Sequence, residues 1–178
     1  MDGTALIVAE SCFGNTDAVA EVVAEALASA GALAVDSRRA HEAPSTLPAG
    51  TELLVLAAPT HNYSLPRWRT RRHAEKRGAK PAHPIGVREW MGGLTVAPKL
   101  RVVCIDTALH SEFTPSSAAK AATRLLRRAG FANASRGPTF FVEDAAGPLR
   151  DSELARAKAW AIALAASLSA ARGAEAGR

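Results

Sequence analysis

Long apolar runs are missing from this chain. No stretch approaches the roughly 20 apolar residues that a membrane-crossing helix requires. Nor does any basic region or apolar signal core precede the first predicted strand, so a cytoplasmic protein is expected. Cysteine is scarce: Cys12 and Cys104 are too few for a disulfide framework and lack zinc-ligand spacing. Both read as free thiols of a reducing compartment, each near the carboxyl end of a strand, with a redox role for Cys12 as the competing reading. His61 and His110 have no carboxylate or second histidine at metal-ligand spacing, so no metal site is expected. Neither G-x-x-x-x-G-K-[ST] nor G-x-G-x-x-G is found, which removes the nucleoside-triphosphate loop and the dinucleotide fingerprint. No acid, base and nucleophile constellation stands out, and no catalytic residue is assigned.

What is present is a regular alternation of strand and helix signals. With 48% hydrophobic and 22% charged residues, the 178-residue chain has enough apolar material for one cored domain. That domain is expected over 1–171, with 172–178 as a frayed tail. Apolar runs predict strands at Ala5–Ala9, Glu52–Ala58 and Leu100–Ile105. Weaker ones are predicted at Ala34–Ser37 and at Thr139–Val142, the latter the core of a strand with an extended segment from Phe131 before it. Helical spacing marks Val19 to Leu27, stopped by Gly31, and a helix capped by Thr114–Pro115 with Ala118, Ala122, Leu125 and Ala129 inward. A short helix is expected around Val87–Met91. A last helix, capped by Asp151, has Leu154, Ala157, Ala161, Leu164 and Leu168 as its buried stripe. Five strands alternating with helices predict a three-layer, doubly wound α/β sandwich with a parallel sheet, and a phosphate-type turn after the first strand makes 2-1-3-4-5 the leading order. Ligands of such sheets bind beyond the carboxyl ends of the strands, at the switch point between strands one and three.

The segment Ser11-Cys12-Phe13-Gly14-Asn15-Thr16 joins the first strand to the first helix. A turn there presents unpaired backbone N–H groups at the positive end of the helix dipole, a setting suited to phosphate. Gly14 lets the backbone approach closely, and Ser11 and Thr16 add hydroxyls. An ordinary glycine-containing turn capped by Asn15 or Thr16 is the alternative. After the third strand comes Pro59-Thr60-His61-Asn62-Tyr63-Ser64-Leu65-Pro66, an aromatic ring among hydrogen-bonding groups. The fourth strand ends in Asp106-Thr107-Ala108-Leu109-His110. All three segments fall at the carboxyl edge of the sheet.

The turn resembles the phosphate loop of flavodoxins, [ST]-x-T-G-x-T, with Phe13 in place of the usual middle threonine. Ala-Pro-Thr-His, Asp-Thr and Phe-Phe-Val-Glu-Asp followed by Gly-Pro-Leu extend the resemblance to flavodoxin-domain proteins over nearly the whole chain. It implies FMN as cofactor, with Ser11, Phe13, Gly14, Asn15 and Thr16 on its phosphate. Pro59, Thr60, His61, Asn62 and Tyr63 would flank one side of the flavin, and Asp106, Thr107, Ala108, Leu109 and His110 the other. The stacking tyrosine frequent in the last loop of flavodoxins is replaced by Ala108, Leu109 and His110. The implied function is flavin redox chemistry, as an electron-transfer protein or a small NAD(P)H- or quinone-type oxidoreductase. A flavodoxin-fold binding protein that has lost flavin is the alternative.

Basicity is local. The formal charge is +5, yet Arg67, Arg69, Arg71, Arg72, Lys76, Arg77 and Lys80 lie in one window against Glu75 alone, leaving the rest slightly acidic. An ordinary solvated face is one reading. Nucleic acid is a weak one, because only Trp68 is interleaved. The third is a positive rim at the flavin that steers an anionic redox partner or substrate and stabilises the reduced, anionic flavin. Nothing in the sequence speaks to oligomeric state.

Overall fold

β1 (Thr4–Ala9) is apolar on every position that faces a helix, because it lies mid-sheet and both its faces are covered. The computed structural model describes residues 3–31, 33–111 and 116–176. After β1 come α1 (Asn15–Ser29), β2 (Ala34–Arg39), β3 (Thr51–Pro59), α2 (Trp68–Glu75) and α3 (Val87–Gly92). They are followed by β4 (Arg101–Leu109), α4 (Ala118–Arg128), β5 (Ala134–Val142) and α5 (Glu153–Ala176). The five strands form one parallel sheet in the order β2-β1-β3-β4-β5, the order expected from the sequence.

The pleat divides the strands' side chains between two cores. Ala5, Ile7, Leu53, Val55 and Ile105 pack under α1 and α5 with Val23, Leu27, Ala161 and Leu164. On the opposite face Leu6, Val8, Leu54, Leu56 and Val102 meet Trp90 and Met91 of α3 and Ala118, Ala122 and Leu126 of α4. Full burial of side chains such as Phe131, Phe140 and Leu56 contributes about 1.5–3 kcal/mol each.

Several boundaries differ from the sequence reading. β4 continues past Ile105 through Asp106, Thr107 and Ala108, all buried, so these residues are strand rather than loop. β5 begins at Ala134, within the extended segment expected from Phe131, and as an edge strand it tolerates Pro138. The pairing of β4 with β5 shifts register between Cys104 and Asp106, beside Gly137 and Pro138. The expected Thr114–Pro115 cap lies outside the described residues. α4 starts at Ala118 instead, and the Ser117 hydroxyl accepts from the Lys120 N–H at 3.3 Å. Ser152 rather than Asp151 directly precedes α5, and Leu154 is 41% exposed, so the buried stripe starts at Ala157. α5 also runs on through Arg172, whose Nη2 lies 2.6 Å from Glu52 Oε2, to Ala176.

Candidate functional site

The turn after β1 ends in Gly14, whose φ of 96° and ψ of −14° place it in the left-handed region. A side chain there would be strained, although a Cβ would meet no atom within 4 Å, so the glycine borders open space. The Ala18 N–H is the first to reach an intrahelical carbonyl, that of Gly14, at 3.0 Å. The N–H groups of Asn15, Thr16 and Asp17 precede that first bond and have no acceptor within the helix. Ser11 Oγ accepts from the Gly14 N–H at 3.0 Å and keeps its own proton to donate. Thr16 turns elsewhere: its buried hydroxyl sits 2.7 Å from that of Thr107 on β4. Asn15 donates its amide to the Ala146 carbonyl in the loop after β5, at 3.1 Å.

β3 leads into a two-residue turn. The His61 N–H and Ser64 carbonyl, and the Ser64 N–H and His61 carbonyl, pair at 2.9 and 3.1 Å. Asn62 and Tyr63 between them have φ of 50° and 59°, the left-handed pair of a type I′ turn. Asparagine accepts that conformation readily; tyrosine does so at a cost of order 1–2 kcal/mol. The result lifts Tyr63 to 56% exposure at the tip. From α3, Arg88 holds the base of the turn by donating to the Leu65 and Pro66 carbonyls and to Ser64 Oγ.

Behind the turn, Thr60 Oγ1 accepts from the Ala118 N–H at 2.9 Å and donates to Asp106 Oδ2 at 3.2 Å. Asp106 Oδ2 also accepts from the Ala119 N–H at 2.7 Å. This carboxylate therefore caps α4 from within the core, 1% exposed, and is not among the residues facing the cleft. Thr107, Ala108, Leu109 and His110 do face it, and the His110 ring meets Phe141 edge-on at 5.0 Å. Cys104 is buried within β4, so the two cysteines do not share a pocket.

The three segments converge on one cleft of about 1220 Å³ at the carboxyl ends of β1, β3 and β4. The chain superposes over 93% of its length on a flavodoxin from the domain Archaea, with a TM-score of 0.61, 14% identity and 99% of that chain covered. A Streptococcus pneumoniae TIGR4 flavodoxin matches with a TM-score of 0.55 and 18% identity, covering 93% of this chain and 99% of that one. The fold is flavodoxin-like. The rubredoxin oxygen:oxidoreductase of Desulfovibrio gigas matches too, at a TM-score of 0.61 and 16% identity; the alignment takes in 94% of this chain but 36% of that chain. No family model matches the sequence, and a search of curated proteins finds no match.

In this flavodoxin-like chain a further wall of the cleft comes from the basic segment. Arg67, Trp68, Arg69, Thr70, His73 and Arg77, on α2 and its flanks, all line it. Arg69 and His73, four apart, share a face of α2, and Arg77 follows in the turn after it. No carboxylate is found among the described lining residues. Arg71, in the same basic segment, lies outside the cleft lining. It is 4% exposed, and its guanidinium bonds Glu10 Oε1 at 3.3 Å, Glu89 Oε2 at 2.9 Å and the Pro84 carbonyl at 2.8 Å. Burial pushes the Glu10 carboxyl up, opposed by Arg71 and by the Val87 N–H that donates to it.

Two titrating groups at the cleft are displaced by burial. The Cys12 thiol is pushed up to about 11, which removes the thiolate that a redox role would need. Burial, helped by Arg71 and His73, lowers the His61 imidazole from 6.5 to about 4. Between those values the unfolded chain takes up a proton that the folded protein refuses, so stability present above pH 6.5 is lost as pH falls toward 4. After allowance for partial exposure the loss attributable to His61 is about 2 kcal/mol. Urea unfolding of wild type and His61→Asn at pH 7 and pH 4.5 checks this. The variant should lose less stability on acidification, and equal losses would refute the assignment.

Proposed function

We propose that this protein binds FMN in the cleft and carries out flavin redox chemistry, as an electron-transfer protein or a small oxidoreductase. The observation that carries this is the left-handed Gly14 turn opening into the cleft, with unpaired helix N–H groups at one end and apolar and aromatic walls at the other. Those residues fit the cofactor. The backbone from Ser11 to Asp17 and the Ser11 hydroxyl would hold its phosphate. Tyr63 on one wall, Ala108 and Leu109 on the other, would enclose its ring. Thr60 and Thr107 are pinned by Asp106 and Thr16, so the walls are held before anything binds. FMN would supply reversible one- and two-electron transfer; the chain would exclude water, orient the ring and set its potential. Arg67, Arg69 and Arg77, with no acid beside them in the cleft, would favour negative charge on the reduced ring.

The test is direct. Titration of the purified protein with FMN should quench flavin fluorescence with a Kd at or below about 1 μM. FAD should bind at least tenfold more weakly, because a turn closed around a terminal phosphate leaves no path for a pyrophosphate continuing into adenosine. FAD binding as tightly as FMN would contradict the terminal-phosphate assignment, and binding of neither would return the chain to a flavin-free binding role.

A further inference from the structure

Six of the seven cations between Arg67 and Lys80 divide by partner; the seventh, Lys76, lies outside the cleft lining and has no carboxylate partner among the described residues. Arg71 is buried against Glu10 and Glu89, Arg72 pairs with Glu75 at 2.6 Å, and Lys80 pairs with Asp17 at 2.9 Å. Arg67, Arg69 and Arg77 face the cleft, and none has a carboxylate partner among the described residues. Neutralisation thus spares the three guanidiniums that line the concave surface.

The cleft also has more room than one ligand needs. Small-molecule pockets hold about 300–1,000 Å³, whereas this one encloses about 1220 Å³. An FMN at the Gly14 end would leave the α2 wall free. Trp68, 44% exposed, stands among these arginines, and the Arg72 guanidinium covers its ring at 5.7 Å. Guanidiniums bind phosphate oxygens bidentately, and an indole is a stacking platform for a purine.

We propose that the Arg67, Arg69 and Arg77 wall, with Trp68, is a docking site for an adenosine nucleotide carrying a 2′-phosphate, as in a phosphorylated nicotinamide dinucleotide. This deepens the FMN reading, since the nucleotide would lie beside the flavin, but the wall itself is independent of it. Three guanidiniums exceed what one pyrophosphate requires and match two separated phosphate groups. A neutral quinone would leave them all unused. An acidic protein partner would meet them on a convex rim rather than inside a cleft.

Adenosine 2′,5′-bisphosphate is the probe, followed by calorimetry with and without FMN present. Wild type should bind it, more weakly as salt rises. The exposed-site triple variant Arg67→Gln, Arg69→Gln, Arg77→Gln should bind at least tenfold more weakly with unchanged circular dichroism. Lys76→Gln, outside the cleft lining, should stay within twofold of wild type, and NADP⁺ should bind at least tenfold more tightly than NAD⁺. Gly14→Val should retain the probe, because the wall is separate from the turn. The proposal is overturned if wild type fails to bind, if the triple variant binds equally, if Lys76→Gln loses as much, or if NAD⁺ matches NADP⁺. Loss in Gly14→Val alone would overturn it as well, by putting the probe on the phosphate turn. FMN binding without nucleotide binding would leave the flavin reading intact and end this one; the converse would do the opposite.

Discussion

Arg71→Ala should lower the free energy of unfolding by about 3–5 kcal/mol, far more than any other substitution in the basic segment. The reason is the company that Arg71 keeps. It joins Glu10 at the end of β1, Glu89 on α3 and the Pro84 carbonyl before it, so one guanidinium ties three parts of the chain. Glu10, 8% exposed, would remain buried without its countercharge. Packing around the pair is tight: a Cβ on Gly86 would lie 2.3 Å from Glu10 Oε2 and 2.6 Å from Arg71 Nη1. Equilibrium urea unfolding measures the effect, with Arg69→Ala and Arg77→Ala as comparisons expected within about 0.5 kcal/mol of wild type. Adding Glu10→Gln to an Arg71→Met background should restore part of the loss, since a neutral pair carries no unpaired charge. If Arg71→Ala unfolds like Arg69→Ala, the buried network does not hold the fold. The same network rules out charge reversal at Arg71 as a probe of partner steering, which belongs instead to Arg67, Arg69 and Arg77.

Gly14→Val should weaken FMN binding by about 100-fold or more while leaving far-ultraviolet circular dichroism nearly unchanged. Two costs combine. A β-branched residue at φ 96° is strained by about 1–2 kcal/mol if it stays there, and moving away redirects the N–H groups that the turn presents. Each hydrogen bond lost to a charged phosphate costs about 1.5–3 kcal/mol, and 1.4 kcal/mol is a factor of ten in affinity. A Cβ at this position would meet no atom within 4 Å, so backbone strain rather than a clash within the protein is the cost. Fluorescence titration of both proteins decides it. Equal affinities would mean that the flavin, if bound, is held elsewhere.

The sheet was legible because its central strands are apolar on both faces, which only a doubly covered parallel sheet explains. Its margins were not. Asp106 and Thr107 looked like the start of a loop because they are polar, yet Asp106 Oδ2 is bonded by Thr60 and the Ala119 N–H and the Thr107 hydroxyl by Thr16, while Asp106 Oδ1 is buried without a partner among the described residues. α2 gave no helical stripe to read, since its two buried positions are Ala74 and an arginine. For the site, the glycine turn and the Tyr63 segment could be found from local residue types, and the structure brings them together. The arginine wall could not be sorted from its neighbours that way. Whether a cation is spent or free depends on acids such as Glu10, Asp17 and Glu89, at distances along the chain that no local window contains.

A cradle made of main-chain N–H groups has a consequence for inheritance. It constrains where the backbone goes and is nearly indifferent to which side chains decorate it. Phe13 can therefore occupy a place where a hydroxyl is usual, and Thr16 can spend its own hydroxyl on a strand, without closing the opening at Gly14. Drift can rewrite most letters around such a feature while the shape persists. A shape set by one glycine turn and the order of five strands tolerates wide differences in side chains.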